Sequence, residues 1–378
     1  MSRSGHFAKQ PGGYESFVPA ALPPEPALGL TSEILGKLSK ADRVVGRLDM
    51  ITEVLPNPDL FVGMYVRQEA VLSSQIEGTQ STLEDVLRFE ATTGGGHGLL
   101  DVEEVVNYVG AMNYGLENLS RLPPSNRLLC EIHGVLLKSG RGQNSTPGQF
   151  RRIQNWIGPA GADIRSAAFV PPTVPVMVEA MGDLEKFLHD KELPVLIHAG
   201  LAHAQFETIH PFLDGNGRVG RLLITLLLCE RGVLQRPVLY LSHFFKRNRQ
   251  EYYDRLMAIR QKGDWEGWID YFLRGVIEVG TEAVGKTQEI ISLRTHHLEL
   301  VNSQLPSHLY ATRVLDHLFT HPITTIRTLQ AAIGCAYVTA NKLVKDLESL
   351  GLLTEINNQK RNRVYSYAPY LNLFSNPK

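Results

Sequence analysis

The chain has 378 residues, 43% of them hydrophobic and 20% charged, with a formal charge of −1, enough for two or three domains and a sizeable core. So even a balance excludes a global electrostatic pull toward nucleic acid or an anionic membrane and leaves only local patches for such binding. The cysteines, Cys130, Cys229 and Cys335, lack CxxC spacing; the longest apolar run, Leu222 to Cys229, is interrupted by Thr225; and the first thirty residues hold no continuous apolar stretch, so the expectation is a cytoplasmic protein with reduced thiols, no transmembrane helix and no secretory signal.

Residues 1–29 contain Pro11, Pro19, Pro23, Pro24 and Pro26, which favour an extended arm on the surface over a helix. From Ser32 the apolar positions Ile34, Leu35, Leu38, Val44, Val45 and Leu48 recur at helical spacing, and a second helical pattern runs from Leu60 to about Ser73. A further helix is expected to start near Ser81, where Ser81-Thr82-Leu83-Glu84 reads as a capping box. Gly94-Gly95-Gly96 then reads as a plain loop, having neither a preceding strand nor the GK[ST] ending of a phosphate loop. Helical patterns resume over 102–119, 125–138, 174–189, 194–209, 216–231, 247–261 and 265–294. The exception is Ile157 to Pro172, where Gly158-Pro159-Ala160-Gly161 and Pro171-Pro172 bracket a β-prone hairpin or flap. The prediction is a mainly α protein.

The chemistry concentrates in His210-Pro211-Phe212-Leu213-Asp214-Gly215-Asn216-Gly217-Arg218-Val219-Gly220-Arg221, between two apolar helices. Gly215 and Gly217 can take backbone conformations closed to other residues, so that amide N–H groups converge on an anion where the next helix begins. Arg218 and Arg221, three apart, project from neighbouring positions of a helix and can take different phosphates of one chain. Asp214 would repel phosphate unless Mg²⁺ stood between them. His210 can accept the proton of an attacking hydroxyl. A zinc site built on His198, His203 and His210 lacks an HExxH pattern or a cysteine pair, so His198 and His203 are read as helix residues engaged in packing or hydrogen bonding.

This run matches the Fic-family signature HxFx(D/E)GNGRxxR at every defined position, and the resemblance extends through Gly148-Gln149-Phe150-Arg151, Gln154-Asn155-Trp156-Ile157-Gly158 and Phe169-Val170-Pro171-Pro172. It covers about residues 105–275 and is similar to the bacterial type of the family. The resemblance implies a helical core that transfers AMP from ATP to Ser, Thr or Tyr of a protein substrate, this chain itself included. It implies His210 as general base, Asp214 as the Mg²⁺ ligand, Asn216 and the amides of Gly215, Gly217 and Gly220 around the α-phosphate, and Arg218 and Arg221 on the β- and γ-phosphates. Phe212 would anchor the loop, and Ala168, Phe169 and Val170 would form the substrate-docking flap. Asn248, Tyr252 and Tyr253 fall where the family places part of its nucleotide pocket, although an aromatic core stripe explains Tyr252 or Tyr253 equally well. Ser73-Ser74-Gln75-Ile76-Glu77-Gly78 resembles the family's inhibitory motif (S/T)xxxE(G/N), which implies that Glu77, fixed by Ser73, pairs with Arg221 and denies it to the γ-phosphate.

Residues 305–378 carry a net charge of +4 and the preceding 304 residues −5, which marks a separate module. Thr324-Thr325 can cap a helix to about Ala332, Gly334 supplies a turn, and Val338, Leu343, Val344, Leu347 and Leu350 form the apolar face of a second helix. Two β-prone runs follow, Leu352 to Ile356 and Val364 to Tyr367. The outline resembles a winged helix, a fold that also serves dimerisation and docking. If it binds DNA, Thr339, Asn341, Lys342 and Lys345 are groove contacts and Lys360, Arg361 and Arg363 phosphate contacts. The expected domains are an N-terminal inhibitory region (1–104), a Fic core (105–275), a helical linker (276–304) and the winged helix (305–378). The alternatives are a Fic enzyme that uses another nucleotide or removes AMP, and a DNA-binding regulator that senses nucleotide or modifies only itself. A homodimer fits the family as well.

Overall fold

The computed structural model describes residues 2–53, 58–92, 100–159, 161–305 and 310–375. At the N-terminus β1 (Gly5–Lys9) and β2 (Glu15–Pro19) pair antiparallel from Gly5↔Pro19 to Lys9↔Glu15. The expected arm is therefore a hairpin: Pro11 sits in its turn and Pro19 at the end of β2, so no proline interrupts the ladder. The hairpin is held by Phe17, fully buried, whose N–H donates to the Val170 carbonyl at 3.0 Å.

The helices α1 (Ser32–Glu53), α2 (Asp59–Ile76), α3 (Leu83–Ala91), α4 (Leu100–Asn118) and α5 (Asn126–Leu136) follow. The box that starts α3 is Thr82 with Asp85, one residue later than Ser81 with Glu84: Asp85 N–H donates to Thr82 Oγ1 at 3.2 Å, and Thr82 N–H to Asp85 Oδ2 at 2.9 Å. Glu84 pairs instead with Arg88 one turn on. Gly94, Gly95 and Gly96 lie outside the described residues, as does Ala160 of the flap's glycine-proline bracket.

The centre of the molecule is an antiparallel pair, α7 (Val195–Ile209) and α8 (Asn216–Glu230), reached after α6 (Val174–Leu188). Residues 196–209 are buried on every side, which is why α7 reads as uniformly apolar rather than striped. After α9 (Ser242–Arg247) and α10 (Arg249–Lys262), α11 runs unbroken from Trp265 to Gln304. The stretch expected as a linker over 276–304 is thus the greater part of this helix, with Val276, Val279, Ala283 and Ile290 buried. Helix α1 lies along α11 so closely that a Cβ on Gly280 would stand 2.6 Å from Val44 Cγ1.

The C-terminal module consists of α12 (Ala311–Thr320), β3 (Ile323–Thr325), α13 (Ile326–Ile333), α14 (Tyr337–Ser349), β4 (Thr354–Glu355), β5 (Val364–Ser366) and α15 (Ala368–Ser375). Its strands form one antiparallel sheet in the order β3-β5-β4. Thr325 Oγ1 accepts from the Thr328 N–H at 3.1 Å and Gly334 ends α13 at φ +67°, the cap and turn that the sequence signals. The module is tied to the rest by Phe61 against Phe319 and Tyr65 against Phe374, ring centroids 5.9 and 6.0 Å apart.

Candidate active site

The loop between α7 and α8 is braced from all sides. His210 closes α7 in a left-handed conformation at φ +52°. Its carbonyl accepts from Arg151 Nε at 3.0 Å and Asn155 Nδ2 at 3.3 Å. Phe212 is fully buried and stacks on His133, centroids 3.8 Å apart, with Phe150 at 5.3 Å behind it. Asn216 closes the loop on itself: Phe212 N–H donates to Asn216 Oδ1 and Asn216 Nδ2 donates to the Phe212 carbonyl, both at 2.8 Å. His133 Nδ1 accepts from the Gly148 N–H at 2.9 Å, which leaves Nε2 to donate to the Asp214 carbonyl at 3.0 Å.

Two glycines shape the site. Gly215 stands at φ +78° immediately before α8, a conformation costly for any residue with a Cβ. Gly217 leaves room for Glu77: a Cβ there would lie 2.2 Å from Glu77 Oε1 and 2.9 Å from Arg221 Nη1. The first-turn N–H groups of α8 have no helical partner, so the site presents donors and the positive end of a helix together.

The charges divide into two clusters. Arg221, 3% exposed, donates from Nε to Ser73 Oγ at 2.8 Å and from Nη2 to the Ser73 carbonyl at 3.0 Å and to Glu77 Oε1 at 2.7 Å. Burial works against the Arg221 charge, but Glu77, with Tyr252 and Glu207, holds its pKa well above the usual value. Enclosure likewise works against ionised Glu77, yet Arg221, Arg218 and His210 hold its carboxyl below the usual range. Arg218 lies 3.5 Å from Asp214 Oδ1 and 3.7 Å from Glu104 Oε2, while its buried Nε and Nη1 donate to nothing among the described residues. Glu104 is itself bound by Arg141 Nε at 2.7 Å. Burial, and secondarily Arg260, lower the His210 imidazole to about 4, so it is neutral at physiological pH.

Of the residues expected at the site, His210, Asp214 and Gly215 lie on the loop and Gly217, Arg218 and Arg221 on the first two turns of α8, with Ser73 and Glu77 facing them from the end of α2. One expectation changes, and two are made more specific. The Asn216 side chain braces the Phe212 peptide and is spent there, leaving only its backbone N–H for a phosphate. Tyr252 is a core residue, 1% exposed, with its hydroxyl 2.8 Å from His203 Nε2 and its ring 4.7 Å from Phe245. Phe169 and Val170 are buried beneath the N-terminal hairpin, and of the three flap residues Ala168 alone is exposed. Asn248 donates to the Phe244 carbonyl at 3.0 Å, Tyr253 stays 37% exposed, and the carbonyl of Gly220 bonds His203 Nδ1 at 2.8 Å. His198 Nε2 bonds the Phe187 carbonyl at 2.8 Å.

Sequence reasoning missed His133, Arg151, Glu104 and Glu207. The last is buried, with Oε1 unpartnered, and burial pushes it up to about 7. Only Arg151 carried a signal, inside the Gly148-Gln149-Phe150-Arg151 stretch.

Residues 35–117 match the family model described as Fic/DOC family N-terminal, and residues 123–228 match the model described as Fic/DOC family. The chain belongs to the Fic/DOC family. It is 30% identical over 198 residues to the protein adenylyltransferase Fic of Aedes aegypti and to that of Culex quinquefasciatus. Those matches cover 51% of this Fic protein and 35% of each relative, so the chain spans about a third of the length of the curated relatives it matches. In three dimensions it resembles a Fic family protein from Desulfovibrio desulfuricans G20, with a TM-score of 0.57 and 19% identity over 90% of this chain and 97% of that one. That likeness establishes the shared fold. Among the described residues no helix is long and apolar enough to cross a membrane.

Proposed function

We propose that this Fic protein transfers AMP from ATP to a hydroxyl of a protein substrate, itself included, and that Glu77 restrains the reaction. One observation carries the reading: a neutral imidazole stands on a braced loop followed by a helix with two buried guanidiniums, one of which has two N–H donors without a hydrogen-bond partner among the described residues. His210 takes the proton as the hydroxyl oxygen bonds to the α-phosphorus, the bond to pyrophosphate breaks, and pyrophosphate departs toward Arg218 and Arg221. The amides at the start of α8 hold the α-phosphate oxygens.

Among the described residues no group of three or more His, Cys, Asp or Glu could hold a metal unaided. Asp214, 43% exposed with one oxygen engaged by the Gly215 N–H, fits Mg²⁺, which keeps several waters and binds through one or two carboxylates plus substrate phosphates. Mg²⁺ there would neutralise charge on the leaving phosphates. Arg221 is the γ-phosphate ligand in this scheme, so its bond to Glu77 favours ATP poses in which the γ-phosphate is not held. Exposed Ala168 is where the target main chain would run along the flap. The C-terminal module is read as a winged helix on its helix-turn-helix and antiparallel β4–β5 order.

The test is mass spectrometry after incubation with ATP and Mg²⁺. Wild type and Glu77→Gly gain AMP on protein, and His210→Ala does not; no AMP on any protein with Glu77→Gly rejects the reading.

A further inference from the structure

A second cationic region lies away from the phosphate loop, in a cleft of about 1110 Å³ between α3 and the C-terminal module. Its walls carry Arg88 of α3, Arg327 of α13, Tyr337 at the start of α14, and Lys360, Arg361 and Arg363 of the β4–β5 loop. No carboxylate lines it among the described residues. Arg88 shares its charge with Glu84 at 2.6 Å and Arg363 with Glu355 at 3.6 Å, while Arg327, Lys360 and Arg361 form no ion pair with any described residue. Five cations facing one space repel one another, and in a molecule of net charge −1 the arrangement has no bulk cause.

The β4–β5 loop is held in shape. Asn357 Nδ2 donates to the Asn362 carbonyl at 2.9 Å, and the Val364 N–H donates to Asn357 Oδ1 at 3.0 Å. Lys360 and Arg361 are thereby presented together, both exposed. Tyr337 keeps 49% of its surface open at the cleft wall. Cations with neutral amides and an open aromatic face suit a phosphodiester chain with its bases. An acidic peptide would leave the aromatic face unused.

We propose that this cleft binds a strand of nucleic acid, with phosphates on Arg88, Arg327, Lys360 and Arg361 and a base or sugar against Tyr337. The strand is free or part of a duplex. Arg88 belongs to the same N-terminal region as Glu77, so the site is shared between that region and the C-terminal module. Lys342 and Lys345, expected as groove contacts, are exposed on α14 but do not line the cleft.

The test is fluorescence anisotropy of the full chain with a labelled mixed-sequence oligonucleotide, single-stranded and as duplex. Four phosphate contacts predict roughly a 10²-fold loss of affinity between 50 and 200 mM salt. Lys360→Gln/Arg361→Gln and, separately, Arg88→Gln should each weaken binding several-fold and flatten the salt dependence by about one unit of slope per charge removed, with unchanged thermal melting. Tighter binding of either form supports the cleft and names the form. Binding by Arg88→Gln with wild-type affinity and slope overturns the shared site, and polyglutamate competing as well as the oligonucleotide at equal charge overturns the nucleic-acid assignment. None of these readouts involves AMP transfer, so failure here leaves the transferase reading standing, and the converse holds.

Discussion

Replacing Glu77 with glycine removes one carboxylate from Arg221 and leaves the guanidinium tethered by two bonds to Ser73, so the arginine stays in place for a phosphate. A hydrogen bond to a charged partner contributes about 1.5–3 kcal/mol. Glu77 keeps 38% of its side-chain surface open, so solvent screening puts this bond near the lower end, about 1.5 kcal/mol. At about 1.4 kcal/mol per tenfold, the productive pose of ATP gains roughly an order of magnitude, and the transfer rate should rise about tenfold. The assay is the initial rate of label incorporation from ATP carrying a labelled α-phosphate, with melting temperatures measured alongside. Glu77→Gln, which keeps a hydrogen-bond acceptor but loses the charge, should fall between. Glu77→Gly no faster than wild type, at equal ATP affinity and equal melting temperature, refutes the assignment of Glu77 as the brake.

His210→Ala should lower transfer by roughly 10²–10⁴ with ATP affinity by calorimetry within about twofold, since the loop is braced through the His210 backbone; a large loss of affinity would mean the ring is structural. Because burial lowers His210 to about 4, the imidazole is neutral above that value, and single-turnover transfer should hold level from pH 8 to 6. An acid limb centred near 6.5 contradicts this. Glu69 is buried among Ser242, Tyr108 and Arg221, and burial raises it from 4.5 to about 7. The folded state therefore holds the proton more tightly than the unfolded chain, so this stabilisation is full below about 4.5 and is lost as pH rises to about 7, up to about 3 kcal/mol. Urea melts at pH 5, 6 and 7 should fall less steeply for Glu69→Gln; equal slopes dismiss the assignment.

The chemistry was legible because it is local. His210 to Arg221 is one uninterrupted run that holds the His, Asp, Gly and Arg of the candidate site together, and the helices on either side announce themselves by apolar content. The braces were not legible, because they arrive from far along the chain. His133 reaches the Asp214 carbonyl across 81 positions and Arg151 the His210 carbonyl across 59; Arg151 at least lies in the Gly148–Arg151 stretch, whereas nothing around His133 distinguishes it from any other polar residue. Tyr252 illustrates the opposite failure. Its spacing suits a pocket wall as well as a core, and only the hydroxyl's partner, His203, decides between them. The N-terminal hairpin escaped because its strands are five residues each and its proline content reads as irregular; what orders it is Phe17 against the flap, a contact across 153 positions.

The placement of the proposed brake follows from how the charges around Arg221 are set. Three carboxylates, Glu69, Glu77 and Glu207, act on this one guanidinium. Burial holds Glu69 and Glu207 near 7, so at neutral pH each is ionised only part of the time. Neither makes a hydrogen bond to Arg221; Glu69 is engaged by Ser242 and Tyr108 instead. Glu77 is held ionised by Arg221 and Arg218, and it alone of the three reaches the guanidinium at 2.7 Å. On the proposed scheme, removing Glu77 leaves Arg221 held by its two bonds to Ser73 with no other carboxylate hydrogen-bonded to it, so one side chain at the end of α2 would govern the site.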